Sequence, residues 1–197
     1  MQTAYSEAAT FEELGHDTNL LIRTQSATDL SILPDESIDY IFTDPPHGDR
    51  IPYLELSAIW MAWLRMEADY EEEIVISDAK YRHKDIEDYR LRLAQAFREM
   101  HRVLKKGGFM SVAFNSWRDE AWRAFMESCC DTGFEIVDVV PTRYSANSVM
   151  QDSRKGGLRG DFTVTFRKSI HRVRSYNLRD VLAKIKDNPT IVPYRTL

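Results

Sequence analysis

Thr43–Asp49 reads TDPPHGD and directly follows the apolar run Ile38–Phe42. Consecutive prolines fix φ twice, remove two N–H donors and hold Asp44 out of the helical region. An ordinary turn needs less stiffness. The arrangement suits a carboxylate on Asp44 and the carbonyl of Pro45, held still while each accepts an N–H from one nitrogen. An exocyclic amine on an aromatic ring is a poor nucleophile because its lone pair is delocalised. Two fixed acceptors favour the pyramidal nitrogen of its transition state, and rigid acceptors need no reorganisation as charge develops. His47 supplies a ring that would stack on a substrate base and hold it in line with a methyl donor. A strong base is not required, since the amine becomes acidic only after alkylation. The competing account is a plain strand-terminating turn in which Asp44 bonds a following N–H.

The elements around this loop follow from pattern. Glu36–Asp44 reads as a strand whose carboxyl end carries the loop, and Asn19–Thr24 (NLLIRT) as another. Tyr53–Met66 is a strongly apolar helix, too short to span a bilayer. It is expected in the core, with Trp60 or Trp63 at a partner interface as the alternative. The charged EADYEEE that follows is expected to be a solvated helix end. From Asp85, an expected N-cap, Tyr89, Leu93, Phe97 or Met100 and Leu104 recur at helical spacing, and KKGG closes that helix. Phe109–Ser116 and Phe134–Thr142 read as strands, with a helix over Asp119–Gly133 between them, and Gly160–Lys168 alternates like an antiparallel strand. This pattern implies an α/β sheet, mostly parallel with an antiparallel C-terminal strand. Ligands of such sheets bind at the carboxyl ends of strands, where Asp44 and Asn115 fall. Asn115 and Trp117 are candidates for substrate contact; Asn115 is equally a candidate cap for the helix near Asp119.

The chain has 197 residues, 43% apolar and 29% charged, enough for one domain with a core. Its expected division is an N-terminal arm over 1–17, an α/β domain over 18–168 and a basic tail over 169–197. A formal charge of −5 gives a global field that repels nucleic acid, which argues against a protein that merely coats DNA. A local basic lip is still available between Arg143 and Arg174, where Arg154, Lys155 and Arg159 sit in QDSRKGGLRGD. These residues are either phosphate contacts or an ordinary solvated face. Cys129 and Cys130 are adjacent, poor geometry for a structural disulfide, and point to a reducing compartment. No cysteine–histidine spacing fits a metal. The start of the sequence lacks the pattern of a signal peptide, so a cytoplasmic protein with no membrane partner is expected.

TDPPH, with the preceding LPDESIDYIF, resembles the [D/N/S]-P-P-[Y/F/W] signature of the S-adenosylmethionine-dependent amino methyltransferases, which act on N6 of adenine or N4 of cytosine. The longer run DPPHGDRIPYLELSAIWMAWL is similar to a subgroup of site-specific DNA methylases of bacteria and archaea. The later blocks FREMHRVLKKGGFMSVAFNS, AWRAFMESCCDTGFEIV and GDFTVTFRK follow in the same order, so the likeness covers about Asn19 to Lys168. It implies a Rossmann-like class I methyltransferase sheet, S-adenosylmethionine as cofactor and DNA as partner. It maps Asp44, Pro45, Pro46 and His47 onto the catalytic loop, with Asp44 also facing the cofactor. Ser26 falls where such enzymes place an acidic residue near the donor's adenine. Tyr53, Asn115 and the basic trio Arg154, Lys155 and Arg159 are the substrate-side candidates. DPPHGDR is also similar to the DPPYG-x-R pattern of tRNA guanine-N2 methyltransferases, which makes tRNA the alternative substrate.

Two departures stand out. His47 replaces the usual Tyr, Phe or Trp, with less stacking area and a titratable ring. No strand–Gly-rich loop–helix unit occurs: Gly107 and Gly108 precede a strand, and Gly156–Gly160 precede the last one. The first two strands of the family's sheet are therefore expected to be missing. The strand edge beside Asp44 then needs a partner chain, a second copy, or direct pairing with NLLIRT. A non-catalytic accessory module on a methyltransferase scaffold is the alternative from outside enzymes.

Overall fold

The computed structural model describes residues 5–15, 17–49, 51–79, 82–116, 118–143 and 160–169. Trp117, Arg154, Lys155, Arg159 and the tail from 170 onward lie outside the described residues.

The element order is β1 (Ile38–Thr43), α1 (Tyr53–Leu64), α2 (Ile86–Val103), β2 (Leu104–Phe114), α3 (Asp119–Asp131), β3 (Phe134–Arg143) and β4 (Gly160–Lys168). Asp85 caps α2 as its sequence suggests, its carboxylate accepting from the backbone N–H groups of Glu87 and Asp88 at 3.0 and 2.9 Å. One stripe of α2 (Tyr89, Leu93, Phe97, Met100) is buried, and so is the matching stripe of α3 (Trp122, Phe125, Met126, Cys129). Gly133 follows α3 at φ +99°, a conformation open to glycine, and a Cβ there would lie 2.9 Å from His101 Nε2.

The sheet has the order β1-β2-β4-β3 and is open. β1 and β2 are parallel, with Tyr40 beside Phe109 and Thr43 beside Val112. β4 inserts antiparallel between β2 and β3. Three strands thus run one way and the last runs against them, the Rossmann-like α/β arrangement expected. β4 alternates as its sequence does: Phe162, Val164 and Phe166 point into the core, while Thr163 and Thr165 do not. With Met110, Val112 and Phe114 of β2 they pack against α2 and α3. Phe114 is the hub, stacked on Phe125 at 4.4 Å and edge-on to Trp122 at 4.8 Å.

Several expectations are corrected. NLLIRT is not a strand; only Leu20 bridges, to Glu7, and Ile22 is 60% exposed. Its apolar residues have no neighbouring strand to pair with, so direct pairing with β1 is ruled out among the described residues. The apolar helix is present as α1 but is not core: none of its residues is buried, and Trp60 and Trp63 are 63% and 76% exposed. Apolar composition says a face wants cover, not where the cover comes from. KKGG does not close α2. The helix ends at Val103, and Lys105–Gly108 are drawn into β2, with Gly107 at φ +73°. The acidic EADYEEE is not a helix end but a turn whose Glu72 and Glu73 pair with Arg92 and Arg82.

His101 gives the fold a pH dependence. Its ring is edge-on to Phe134 at 5.2 Å. Burial, and then the nearby Lys168, hold its pKa below the ordinary histidine value, with Glu36 opposing. A depressed histidine pKa means the unfolded chain binds the proton more readily. Stability is therefore full above about pH 6.5 and falls as pH drops below it. The urea midpoint should decline between pH 7.5 and 5.5, and His101→Gln should flatten that decline.

Candidate active site

The loop is assembled at the carboxyl end of β1 and tied down from three directions. Tyr89 of α2, fully buried, donates its hydroxyl to the carbonyl of Pro46. Burial pushes the Tyr89 phenol well up, so it remains a donor at any ordinary pH. Gly48, at φ +76°, accepts from Ile76 N at 3.3 Å, and a Cβ there would meet Ile76 Cδ1 at 3.2 Å and Ala121 Cβ at 3.3 Å. Only glycine fits that approach without displacing its neighbours. Asp49 pairs with Arg118, just before α3, at 2.7 Å, and Asp78 adds a second, longer contact at 3.4 Å.

Within this frame Asp44 and His47 form a pair. His47 Nε2 is 3.0 Å from Asp44 Oδ1 and 3.3 Å from the carbonyl of Ala113. Both partners are oxygen acceptors, so Nε2 carries the proton. The His47 side chain is 7% exposed and sits edge-on to Phe114 at 5.0 Å; the Asp44 side chain remains 67% exposed. The stacking role expected of His47 is corrected by this burial, because the ring lies inside and is not open to a base. Its Nε2 faces the Asp44 carboxylate that it orients and the Ala113 carbonyl behind it. Pro45 is buried and Pro46 partly so, which fixes both ends of the bend.

The other expected residues are not all gathered here. Asn115 is 1% exposed and donates to the carbonyl of Gly160 at 2.6 Å, joining the end of β2 to the start of β4. It caps no helix: α3 begins after Arg118 without a side-chain cap. Tyr53 is 43% exposed at the first turn of α1. Ser26 lies in an exposed turn, its hydroxyl 2.8 Å from that of Thr28. The residues that sequence inspection missed are Tyr89, Phe114 and Arg118. The spacing puts Tyr89 on the buried stripe of its helix, but nothing in spacing says that its hydroxyl meets a carbonyl 43 residues away.

S-adenosylmethionine is the cofactor the resemblance implies, and Asp44 and Ser26 are the residues it maps to the cofactor side. Of these, Asp44 is exposed at the carboxyl end of β1 and Ser26 is engaged in its own turn with Thr28. A cavity of about 590 Å³ exists elsewhere, lined by Glu55, Tyr70, Glu71, Arg82, His83, Lys84, Asp88 and Arg92, and includes none of the loop. Its cations are largely committed to carboxylates: Arg82 to Glu55 and Glu73, Lys84 to Asp88.

No protein-family model matches the sequence, and no curated protein matches it. Solved structures do share its shape. The PvuII DNA methyltransferase (cytosine-N4-specific) aligns over 82% of this chain and 52% of its own, at 15% identity and a TM-score of 0.48. A SAM-dependent methyltransferase from Methanosarcina mazei aligns over 79% and 71%, at 12% identity and 0.41. The [4+2]-cyclase SpnF aligns over 81% and 60%, at 16% identity and 0.40. The chain spans about half the length of several structures it matches. At this distance likeness assigns no reaction and no residue; a protein named a cyclase stands among the methyltransferases. No described helix is long and apolar enough to cross a membrane.

Proposed function

We propose that the chain is the catalytic-loop portion of an S-adenosylmethionine-dependent DNA amino methyltransferase, acting on the exocyclic amino group of adenine or cytosine. The observation that supports it is the Asp44 carboxylate, two-thirds exposed at a strand's carboxyl end yet pinned through His47 to the buried Phe114. In this role Asp44 and the Pro45 carbonyl accept the two N–H bonds of the amine and hold its lone pair out of conjugation. Asp44 is also placed to take the proton that the alkylated nitrogen releases. His47 acts as a positioning residue for Asp44. The remaining donor-binding residues come from outside the described ones, and Arg154, Lys155 and Arg159 are the proposed phosphate contacts to DNA in a cytoplasmic setting.

Two alternatives have specific support. The DPPHGDR run keeps tRNA guanine-N2 as a substrate, and the buried ring of His47 together with the missing glycine-rich loop favours an accessory module. The test uses the chain purified from its own cells with whatever accompanies it, supplied with methyl-labelled S-adenosylmethionine and either DNA or tRNA. Label recovered as N6-methyladenine or N4-methylcytosine is the expected result. Label in N2-methylguanine would move the assignment to tRNA, and no label in either polymer would leave the accessory role.

A further inference from the structure

Unlike α2 and α3, α1 has no buried residue, and its one charge, Glu55, is held 2.6 Å from Arg82. At about 100° per residue, Tyr53, Leu56, Ile59, Trp60, Trp63 and Leu64 fall within an arc of about 140°. Leu56, Ile59, Trp60 and Trp63, at its centre, are 63–76% exposed. The half-buried Leu54, Ser57 and Met61 lie outside the arc, as does Glu55. Trp60 and Trp63 stand edge-on at 5.7 Å, so the two largest rings hold each other in place before any contact forms. Neither a bilayer surface nor a nucleic acid suits this face, since both call for cations around the rings and Tyr53–Leu64 contains none.

We propose that this face packs against the same face of a second copy of the chain, α1 antiparallel to α1 with the two-fold axis between Ile59 and Trp60. The helix is its own complement in that register. Trp63 meets the partner's Leu56, and Trp60 meets the partner's Ile59, so each ring lies against an aliphatic chain and large residues fill the space beside smaller ones. A parallel pair would set each tryptophan on its own copy and align the two helix dipoles, which the antiparallel pair opposes. No charge enters the contact. Tyr53, Leu64 and Met66 flank the four central residues and are 43%, 68% and 52% exposed. Taking roughly 150–250 Å² for a whole large side chain, the seven leave on the order of 800 Å² uncovered, as much as each partner buries in a standard interface. The four central residues supply more than half of it. The contact uses no residue of β1, so the sheet edge beside Asp44 is left to the donor-binding residues of the proposed function. The inference rests on the uncovered helix and not on methyl transfer.

Sedimentation equilibrium of the full chain at tens of micromolar should give a dimer, and Trp63→Glu should raise its dissociation constant at least tenfold while circular dichroism stays unchanged. Should that variant lose its circular dichroism, Ile59→Lys gives the same reading. A monomeric wild-type chain overturns the proposal and leaves the helix to a different polypeptide; a dimer as tight with glutamate at position 63 overturns it as well. Register is read by oxidative cross-linking. A mixture of Leu56→Cys and Trp63→Cys chains should cross-link, whereas either variant alone should not, since like positions are offset by about 10 Å along the helix axis, beyond disulfide reach. The native Cys129 and Cys130 are buried and do not compete. Cross-links formed equally well by each variant alone would overturn the register.

Discussion

Asp44→Ala should lower methyl transfer by about 10²–10³-fold while leaving the urea midpoint close to that of the wild type. The reasoning separates two roles for one carboxylate. Asp44 is 67% exposed and its visible partner is the His47 ring, so its removal opens no cavity and strands no backbone donor. The structural cost is limited to the partner of one hydrogen bond, about 0.5–1.5 kcal/mol. The functional cost is larger because a fixed acceptor acts where charge develops, in a position water would otherwise have to reorganise to fill. A turn-forming aspartate would behave in the opposite way, with stability lost and transfer kept. His47→Phe is the companion variant. It keeps a ring against Phe114 but removes the contact to Asp44, so it should lower kcat and leave the fold in place. Equal losses in kcat and stability would instead mark His47 as a packing residue only.

The second large effect is on stability. Phe114→Ala should destabilise the fold by about 3–5 kcal/mol, through lost burial and the cavity left behind. The side chain is fully buried and touches three rings: Phe125 stacked at 4.4 Å, with Trp122 and His47 edge-on at 4.8 and 5.0 Å, while Phe125 carries the contact on to Phe166. Domains of this size have about 5–15 kcal/mol in total, so the loss should be plain in a urea titration. Phe114→Leu, which retains most of the volume, should recover much of it. The same substitution should loosen the loop, because His47 packs on Phe114 and Asp44 leans on His47. Activity measured well below the new midpoint should therefore still fall for Phe114→Ala. An alanine variant with wild-type stability would contradict the packing described for β2.

What could be seen in the sequence were the features set by local chemistry. The alternation of Gly160–Lys168, the stripe of α2 and its Asp85 cap depend on near neighbours, and each stands where its pattern put it. The stiffness of the Asp44 bend was readable for the same reason. The features that were not readable depend on distant partners. NLLIRT has strand composition, yet a strand exists only with a neighbour to bond, and among the described residues only Asn19 and Leu20 pair, with the segment around Ser6–Ala8. Tyr53–Leu64 is apolar enough for a core, but whether a core meets it is not local information. KKGG has the look of a helix end, and the parallel pairing of β2 with β1 draws it into the sheet instead. His47 could be named as a ring at the right position; its inward turn is decided by Phe114 and the Ala113 carbonyl, 66 residues away in the case of the carbonyl. Arg118 and Asp49 meet by the same long-range logic.

The most direct test is a crystal structure of the chain bound to a short DNA duplex with adenine or cytosine placed opposite an abasic site, so that the base is free to leave the stack. The exocyclic nitrogen should lie within about 3.2 Å of the Asp44 carboxylate, with the Pro45 carbonyl as its second acceptor. A base seated elsewhere, with Asp44 facing only His47, would contradict the proposed chemistry.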